Sequence, residues 1–261
     1  EGGEEIERAA RGTVPRLLEP SHIKGDLHIH SDWSDGRDTI EAMVLAAKAL
    51  GYEYVGISDH SGGRGIARGL NRARLKEQMA EIKALNERMG GVRILTGLEV
   101  DIRSDGTLDM PDEVLKELDI VTASIHSGMN QTQEQITRRI VKAMENPNVD
   151  VLGHPTGRLM PEREPFAVDM EAIFQAAAKN KTILEINAMP SRLDLKDTHV
   201  YRARELGLML VISTDAHSTE HLGFMRFGVG VARRGWCEAK DILNTKPLAE
   251  LLKYLKSRGK K

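Results

Sequence analysis

The chain has 261 residues and a formal net charge of −2, with 40% hydrophobic and 29% charged residues. These values are typical of a globular protein about the size of one α/β barrel domain, and they exclude a disordered chain. The near-neutral charge excludes a surface that is basic throughout, so contact with nucleic acid would require a local basic patch. No apolar run approaches the length of a membrane span, so we expect no membrane contact, and the single Cys237 favours a reducing, cytoplasmic environment.

Residues 1–24 are predicted to form a short polar helix and a linker, because they begin with a Glu-rich stretch and contain Pro15 and Pro20. We expect the remaining residues, 25–261, to form one domain. The chain starts at Glu1 rather than at a methionine, so we expect that it was processed or belongs to a longer protein.

From residue 25 onward, segments typical of strands alternate with segments typical of helices, which is the pattern of a parallel sheet covered by helices. The predicted strands are 25–30, 53–59, 92–100, 119–126, 149–153, 182–187 and 208–214. The predicted helices are 39–50, 71–89, 111–118, 131–146, 168–179, 197–206 and 247–257. This alternation by itself fits both a closed barrel and an open, doubly wound sheet.

Histidines and carboxylates recur at the ends of the predicted strands. His28 and His30 lie two residues apart on the first strand, so both side chains project from the same face. Imidazole is the commonest metal-binding side chain near neutral pH, and a His-x-His pair can place two nitrogens on one ion. The full set, at strand ends or in the turn after the first strand, is His28, His30, Asp35, His60, Glu99, His126, His154, Asp215 and His217.

A closed barrel brings the ends of all these strands to a common centre, whereas an open sheet keeps distant strands apart. We therefore predict an α/β barrel with a metal site at the carboxyl ends of its strands. Nine ligands exceed the needs of one ion, because a zinc ion uses roughly three or four protein ligands, so two or three metals are expected. A ligand set without thiolates suits zinc, manganese or iron.

Short segments around these residues carry a further signal: Asp26-Leu27-His28-Ile29-His30, Ser34-Asp35-Gly36, Asp59-His60, Gly97-Leu98-Glu99, Gly153-His154-Pro155 and Asp215-Ala216-His217. Together they resemble the polymerase and histidinol phosphatase (PHP) superfamily. Residues 184–187 and 192–195 are most similar to the carboxyl-terminal PHP domain of bacterial and archaeal family X DNA polymerases. The resemblance covers about residues 24–257 and implies that residues 25–261 form a PHP phosphoesterase domain.

The resemblance also implies a distorted seven-stranded (β/α) barrel, similar to a TIM barrel, that holds three divalent ions, manganese or zinc, with iron as a third option. It further implies how these ions share their ligands. The implied sets are His28, His30 and Asp215 for one ion; Glu99, which bridges to a second ion, with His126 and His154; and Asp35, His60 and His217 for the third. An amino-terminal polymerase portion, present in those polymerases and absent from this chain, is the implied partner.

Such a centre predicts hydrolysis of phosphate esters. Water bound to a dinuclear or trinuclear centre is acidic enough to supply hydroxide near neutral pH, and this hydroxide would attack phosphorus in line. The sequence contains no Gly-x-Ser-x-Gly nucleophile elbow, so we expect no covalent intermediate and no catalytic residue beyond the metal ligands.

A basic loop follows His60. Residues 61–76 contain five cations and no acid, and their glycines would let main-chain amides approach phosphate oxygens. Arg64 and Arg68 in this loop, and Arg192 after the sixth strand, are the predicted substrate-binding residues. A flexible, solvated loop is an equally good interpretation of the same segment.

Three functions remain open from the sequence. The first, implied by the polymerase resemblance, is a 3′–5′ exonuclease and 3′-phosphatase on DNA that serves repair. The second is a phosphatase on a small metabolite such as histidinol phosphate. The third is a structural barrel that braces a polymerase, and the complete ligand set argues against it, because buried histidines and carboxylates are costly without metal.

Overall fold

The computed structural model describes residues 4–62 and 68–258. Its sheet has seven parallel strands, which lie side by side in chain order with each strand hydrogen-bonded to the next. They are β1 (Gly25–Ile29), β2 (Tyr54–Ile57), β3 (Arg93–Asp101), β4 (Ile120–Ser124), β5 (Val151–Leu152), β6 (Ile183–Asn187) and β7 (Leu210–Ser213). The predicted alternation of strands and helices is confirmed.

Helices connect the strands and cover the outside of the sheet, where their apolar faces pack. They are α1 (Glu4–Ala10), α2 (Ile40–Ala49), α3 (Arg72–Arg88), α4 (Asp112–Leu115), α5 (Gln133–Met144), α6 (Met170–Asn180), α7 (Asp197–Glu205), α8 (Met225–Arg234) and α9 (Leu248–Ser257). Within the described residues, no helix combines the length and the apolar character needed to cross a membrane.

Side chains close the barrel where β1 meets β7. The backbone N–H of His30 donates to the carbonyl of Ala216 at 2.8 Å, and the buried Asp26 carboxylate accepts hydrogen bonds from Thr214. The buried Asn244 amide lies across the same seam, where it donates to the carbonyls of Gly25 and Ile212. The predicted barrel is confirmed, and a few polar side chains hold β1 and β7 together where the barrel closes.

Two elements differ from the predictions. The helix α8 was not predicted, because Gly228 and Gly230 lower the helix propensity of its sequence. A Cβ on Gly228 would lie 2.4 Å from Ile212, so the glycine lets α8 pack closely on the barrel. The helix predicted over 111–118 is only one turn long, because the chain turns to place the N–H of Asp119 on the carbonyl of Thr96 at 2.9 Å.

The segment that precedes the barrel includes the predicted short helix, which is α1. Its later residues pack on the barrel: Leu18 is fully buried, and its N–H donates to the carbonyl of Cys237 at 2.9 Å. Arg233 on α8 donates to the Leu18 carbonyl and to Glu19. This arginine therefore holds the amino-terminal segment in place.

Candidate metal centre

The carboxylate of Glu99 lies at the middle of a cluster of histidines. Glu99 is on β3 and is 1% exposed. Five imidazoles have a nitrogen within 3.6 Å of its oxygens. Two of them lie on β1 or directly after it, and the other three follow β2, β4 and β5. They belong to His28, His30, His60, His126 and His154, and the shortest separations are 2.9 Å to His60 and to His154.

Two further carboxylates extend this cluster on either side. Asp215 Oδ1 lies 3.0 Å from His30 Nε2 and 3.8 Å from His28 Nε2. Asp35 lies 3.3 Å from His217 Nε2 and 3.4 Å from His60 Nε2. The structure therefore brings all nine residues of the predicted set to one place at the carboxyl ends of the strands.

Three groups within the cluster offer ligand atoms that all lie within 4.8 Å of one another. They are His30 with Asp35, His60 and His217; His28 with His30 and Asp215; and His60 with Glu99 and His126. The resemblance implied the same three neighbourhoods. In this geometry, however, His30 and His60 each belong to two groups, and His154 joins through its contact with Glu99.

Several buried ligand atoms at the centre lack a hydrogen bond from any described residue. They are Nε2 of His28, both ring nitrogens of His30, Nδ1 of His60 and Oε2 of Glu99. A buried polar atom without a partner costs about 1–3 kcal/mol, so such a concentration of them is expected only where a ligand compensates. Imidazole nitrogens and carboxylate oxygens are the donors that zinc, manganese and iron take, so the residues fit divalent metals.

The charge state of the centre also suits cations. Burial opposes ionisation of Glu99, but the surrounding imidazoles, His126 foremost, hold the pKa of Glu99 well below its usual range. Burial likewise opposes ionisation of Asp215, yet His28 and its neighbours keep the Asp215 pKa well below normal. Burial and nearby imidazoles lower the pKa of His30 to about 3. The carboxylates are therefore anionic and His30 is neutral, which is the form that binds metal. Despite burial, neighbouring carboxylates raise the pKa of His28, His126 and His217 and raise that of His60 to about 10, so ions would bind with release of these protons.

Local backbone structure aims these side chains. His154 and Asp215 have φ of +25° and +54°, in the left-handed region that residues other than glycine rarely adopt. Such a conformation costs about 1–3 kcal/mol and persists where the surrounding structure imposes it, commonly at functional sites. In both cases the strained residue comes two residues after its strand ends, at the point where the side chain enters the cluster.

The turn that carries Asp35 is held by a buried carboxylate. Asp59 accepts hydrogen bonds from the N–H and hydroxyl of Ser31 and from the hydroxyl of Ser34. Gly36 completes this turn, because a Cβ there would lie 2.7 Å from the backbone of Ser31. Asp59 therefore positions a ligand without being one of the nine.

Glu185 is a functional residue that the sequence analysis missed. It lies on β6, is fully buried, and accepts from His28 Nδ1 at 2.7 Å and from the His154 N–H at 2.7 Å. A carboxylate on Nδ1 fixes the His28 tautomer so that Nε2 presents its lone pair to the centre. The sequence does contain a signal for this role, because Glu185 is a charged residue within the otherwise apolar run Ile183-Leu184-Glu185-Ile186.

Asp101 does the same for His126 and was also missed. Its carboxylate contacts His126 Nδ1, which directs Nε2 of that ring toward Glu99 at 3.1 Å. Asp101 follows Glu99 by two residues on β3. The same spacing on β1 had identified His28 and His30, so this pair could have been recognised too.

The three predicted substrate-binding arginines have different surroundings. Arg192 lies at the centre, with Nε 3.3 Å from Asp215 Oδ2, and its buried Nη1 makes no hydrogen bond to the described residues. Arg68 donates to the carbonyls of Asp32 and Ser34, so it braces the turn that carries Asp35. Arg64 lies outside the described residues.

Comparison with known proteins identifies relatives of this chain. A family model described as "PHP domain" matches residues 26–189. The DNA polymerase/3′-5′ exonuclease PolX of Bacillus subtilis (strain 168) is 46% identical over 256 residues, which are 98% of this chain and 45% of that protein. The chain thus spans less than half the length of this relative.

A shorter relative, from Thermoanaerobacter sp. (strain X514), carries the name probable phosphatase. It is 31% identical over 190 residues, which are 69% of this chain and 75% of the relative. Among solved structures, histidinol phosphate phosphatase of Lactococcus lactis superposes with a TM-score of 0.62 at 19% identity, over 81% of this chain and 93% of that one. At this identity the likeness shows a shared fold.

Proposed function

The chain belongs to the PHP domain family, and from this membership we propose that it is a metal-dependent phosphoesterase that hydrolyses the 3′ ends of DNA. One observation carries the proposal: six histidines and two further carboxylates from all around the barrel gather around Glu99, and five of the histidines contact it directly. Divalent ions held by these nine residues would supply an activated hydroxide and stabilise the charge that develops on the phosphate. Two or three ions fit the three ligand groups, and we propose that they are manganese or zinc, with iron as a third option.

The residues of the chain would divide the remaining work. Glu185 and Asp101 hold the histidine tautomers, so the ligand atoms need no rearrangement when ions bind. Arg192 lies next to Asp215, and its Nη1 makes no hydrogen bond to any described residue. This nitrogen could therefore donate to a phosphate oxygen of the substrate. Arg68 supports the Asp35 turn and binds substrate only if that contact opens.

DNA is the proposed substrate because of the relative that covers nearly the whole chain. The Bacillus subtilis protein is named as both a DNA polymerase and a 3′-5′ exonuclease, and 46% identity extends over 98% of this chain. We further propose that a polymerase portion, present in that relative beyond the matched 45%, is the partner of this domain, and that the complex acts in DNA repair in the cytoplasm.

A small-metabolite phosphatase is the second candidate. It is favoured by the relatives named probable phosphatase and by the shared fold with a histidinol phosphate phosphatase that was solved with zinc, L-histidinol and phosphate. A purely structural role is disfavoured, because the buried ligand atoms that lack hydrogen bonds would be left uncompensated.

The test is to incubate the protein and Mn²⁺ with 5′-labelled single-stranded DNA and, separately, with histidinol phosphate. Progressive shortening from the 3′ end supports the proposal, whereas phosphate release from the metabolite alone supports the second candidate. His126→Ala should abolish either activity, and His22→Ala is the matched control because His22 lies outside the centre and contacts Glu19. Inactivity on both substrates would contradict both candidates and favour the structural role.

A further inference from the structure

A cavity that contains none of the nine ligands opens beside the metal centre. Its volume is about 310 Å³, which is within the range of small-molecule sites. Most of its walls come from the connection between β5 and α6, with Lys196 and His199 from the start of α7 and Gln133 from α5. Thr156 in one wall comes two residues after His154, and its N–H donates to Asp194, two residues beyond Arg192. The segments that carry His154 and Arg192 therefore continue directly into residues that line or brace the cavity.

One side of the cavity is apolar and built around an aromatic ring. Phe166 lies there with Val168 and Met170. A Cβ on Gly157 would lie 2.2 Å from the Phe166 ring, and Gly157 has φ of +62°, so the glycine is needed for the ring to lie on the backbone. The Phe166 N–H also donates to the Thr156 carbonyl at 3.0 Å, which fixes the ring's position relative to the centre.

Other residues of the cavity lining are cationic and polar. Arg158 and Lys196 line it, and no acidic residue is among its described lining residues. Two nitrogens of Arg158 donate to the carbonyls of Arg192 and Leu193, so this cation is held in place. His199 also lines the cavity, its buried Nδ1 has no hydrogen bond from a described residue, and burial lowers its pKa to about 4, so the ring is neutral.

An aromatic ring, a fixed Arg158 and the Lys196 cation in one cavity lining match a nucleotide, whose base stacks and whose phosphate is anionic. We propose that this cavity binds a nucleoside next to the scissile phosphate, with the base against Phe166 and the adjoining phosphate beside Lys196. The proposal rests on the proposed function, because it deepens the choice of DNA as substrate. It makes the loops after β5 and β6 the specificity surface of the site.

The test pairs removal of the base with removal of the ring. Kinetics of wild type and Phe166→Ala are measured on a single-stranded oligonucleotide and on copies that are abasic at the last or the penultimate position. Loss of one stacked base is expected to lower kcat/KM about 5- to 150-fold for the wild type at one of these positions. Phe166→Ala should lower kcat/KM similarly on the intact strand and should add little on the abasic one.

Bis(p-nitrophenyl) phosphate separates this proposal from the proposed function, because it carries no base. Wild type should hydrolyse it, and Tyr201→Ala, a half-buried aromatic that contacts Trp236 instead, should match wild type on every substrate. No hydrolysis of this ester by wild type would overturn the phosphoesterase itself. If wild type hydrolyses the ester but its kcat/KM on the oligonucleotide is unchanged by either abasic position, the cavity proposal alone is overturned. This result needs only the wild-type protein.

Discussion

The two ends of the barrel interior differ in chemistry although the same seven strands build both. Toward the amino ends, each strand contributes one residue to an apolar cluster that α9 and the turn before it complete. Its buried members are Leu27, Tyr54, Leu95, Ile120, Val151, Ile183, Val211, Leu243, Leu251 and Leu255. Toward the carboxyl ends, the same strands deliver the histidines and carboxylates of the metal centre.

This difference separates stability from activity within one core. Apolar contacts at the amino end need no ligand and stabilise the barrel on their own. Buried polar atoms at the carboxyl end lack compensating hydrogen bonds among the described residues and need ions. Substitutions at the two ends should therefore fail in different ways, and the predictions below exploit that contrast.

Glu99→Gln should have the largest effect, at the carboxyl end. The amide is neutral and one of its two polar atoms is a donor, so it cannot hold cations among five imidazoles. The loss of metal-dependent stabilisation should lower kcat/KM on the order of 10³-fold. The measurement is the initial rate on bis(p-nitrophenyl) phosphate with Mn²⁺, and circular dichroism should show an unchanged fold. A near-normal rate would contradict the central position of Glu99.

Leu95→Ala should act in the opposite way, at the amino end. Leu95 is fully buried in the apolar cluster, so its truncation should reduce the free energy of unfolding by about 2–5 kcal/mol. The rate per folded molecule should stay at the wild-type value. Urea unfolding measures the first quantity, and Leu50→Ala is the matched control because Leu50 is 51% exposed and should change stability by no more than about 0.5 kcal/mol. Loss of activity in folded Leu95→Ala would break the separation of the two ends.

Metal removal tests the same contrast through the stabilisation that the ions provide. Mn²⁺ at 100 times its Kd should stabilise the wild type by about 2.7 kcal/mol relative to the chelated protein. Leu95→Ala should gain the same increment, because its cluster is separate from the centre. Glu99→Gln should gain much less. Thermal melting with Mn²⁺ and with EDTA measures the increments, and equal gains in wild type and Glu99→Gln would place the ions elsewhere.

Glu185→Gln should have the smallest effect of the four, because Glu185 acts through His28. The amide can donate to His28 Nδ1, which would place the ring proton on Nε2 and remove a ligand atom. Losses of about 10- to 100-fold in metal affinity or activity are typical of such partners. Metal titration should show the loss, and added Mn²⁺ should restore part of the rate. Glu171→Gln, an exposed residue paired with Arg202, should match wild type in this titration.

The residues of the centre were predictable because their signals are local. The spacing of His28 and His30 on one strand, and the recurrence of polar residues where strands end, can be read from neighbouring positions. We predicted the barrel because a closed barrel brings those strand ends together, whereas an open sheet does not. The start of α2 is also set locally, because the Thr39 side chain accepts a hydrogen bond from the N–H of Ala42.

The residues that support the centre were not found, because their partners are distant in the chain. Glu185 contacts His28 across 157 positions, and Asn244 closes the seam at Gly25 across 219. The helix α8 was missed for a related reason: Gly228 lowers its helix propensity, and only packing against Ile212 explains the glycine.

The sequence by itself determined the alternation of strands and helices, the ligand types and the end of the barrel at which they gather, since each depends on alternation and spacing along a few residues. The tertiary structure alone decided which carboxylate lies at the middle, which buried acids orient the imidazoles, and that a cavity lies along the segments that follow His154 and Arg192. These features are distances between side chains on different strands. Such distances are set by how seven strands and their helices pack together, and no local pattern encodes them.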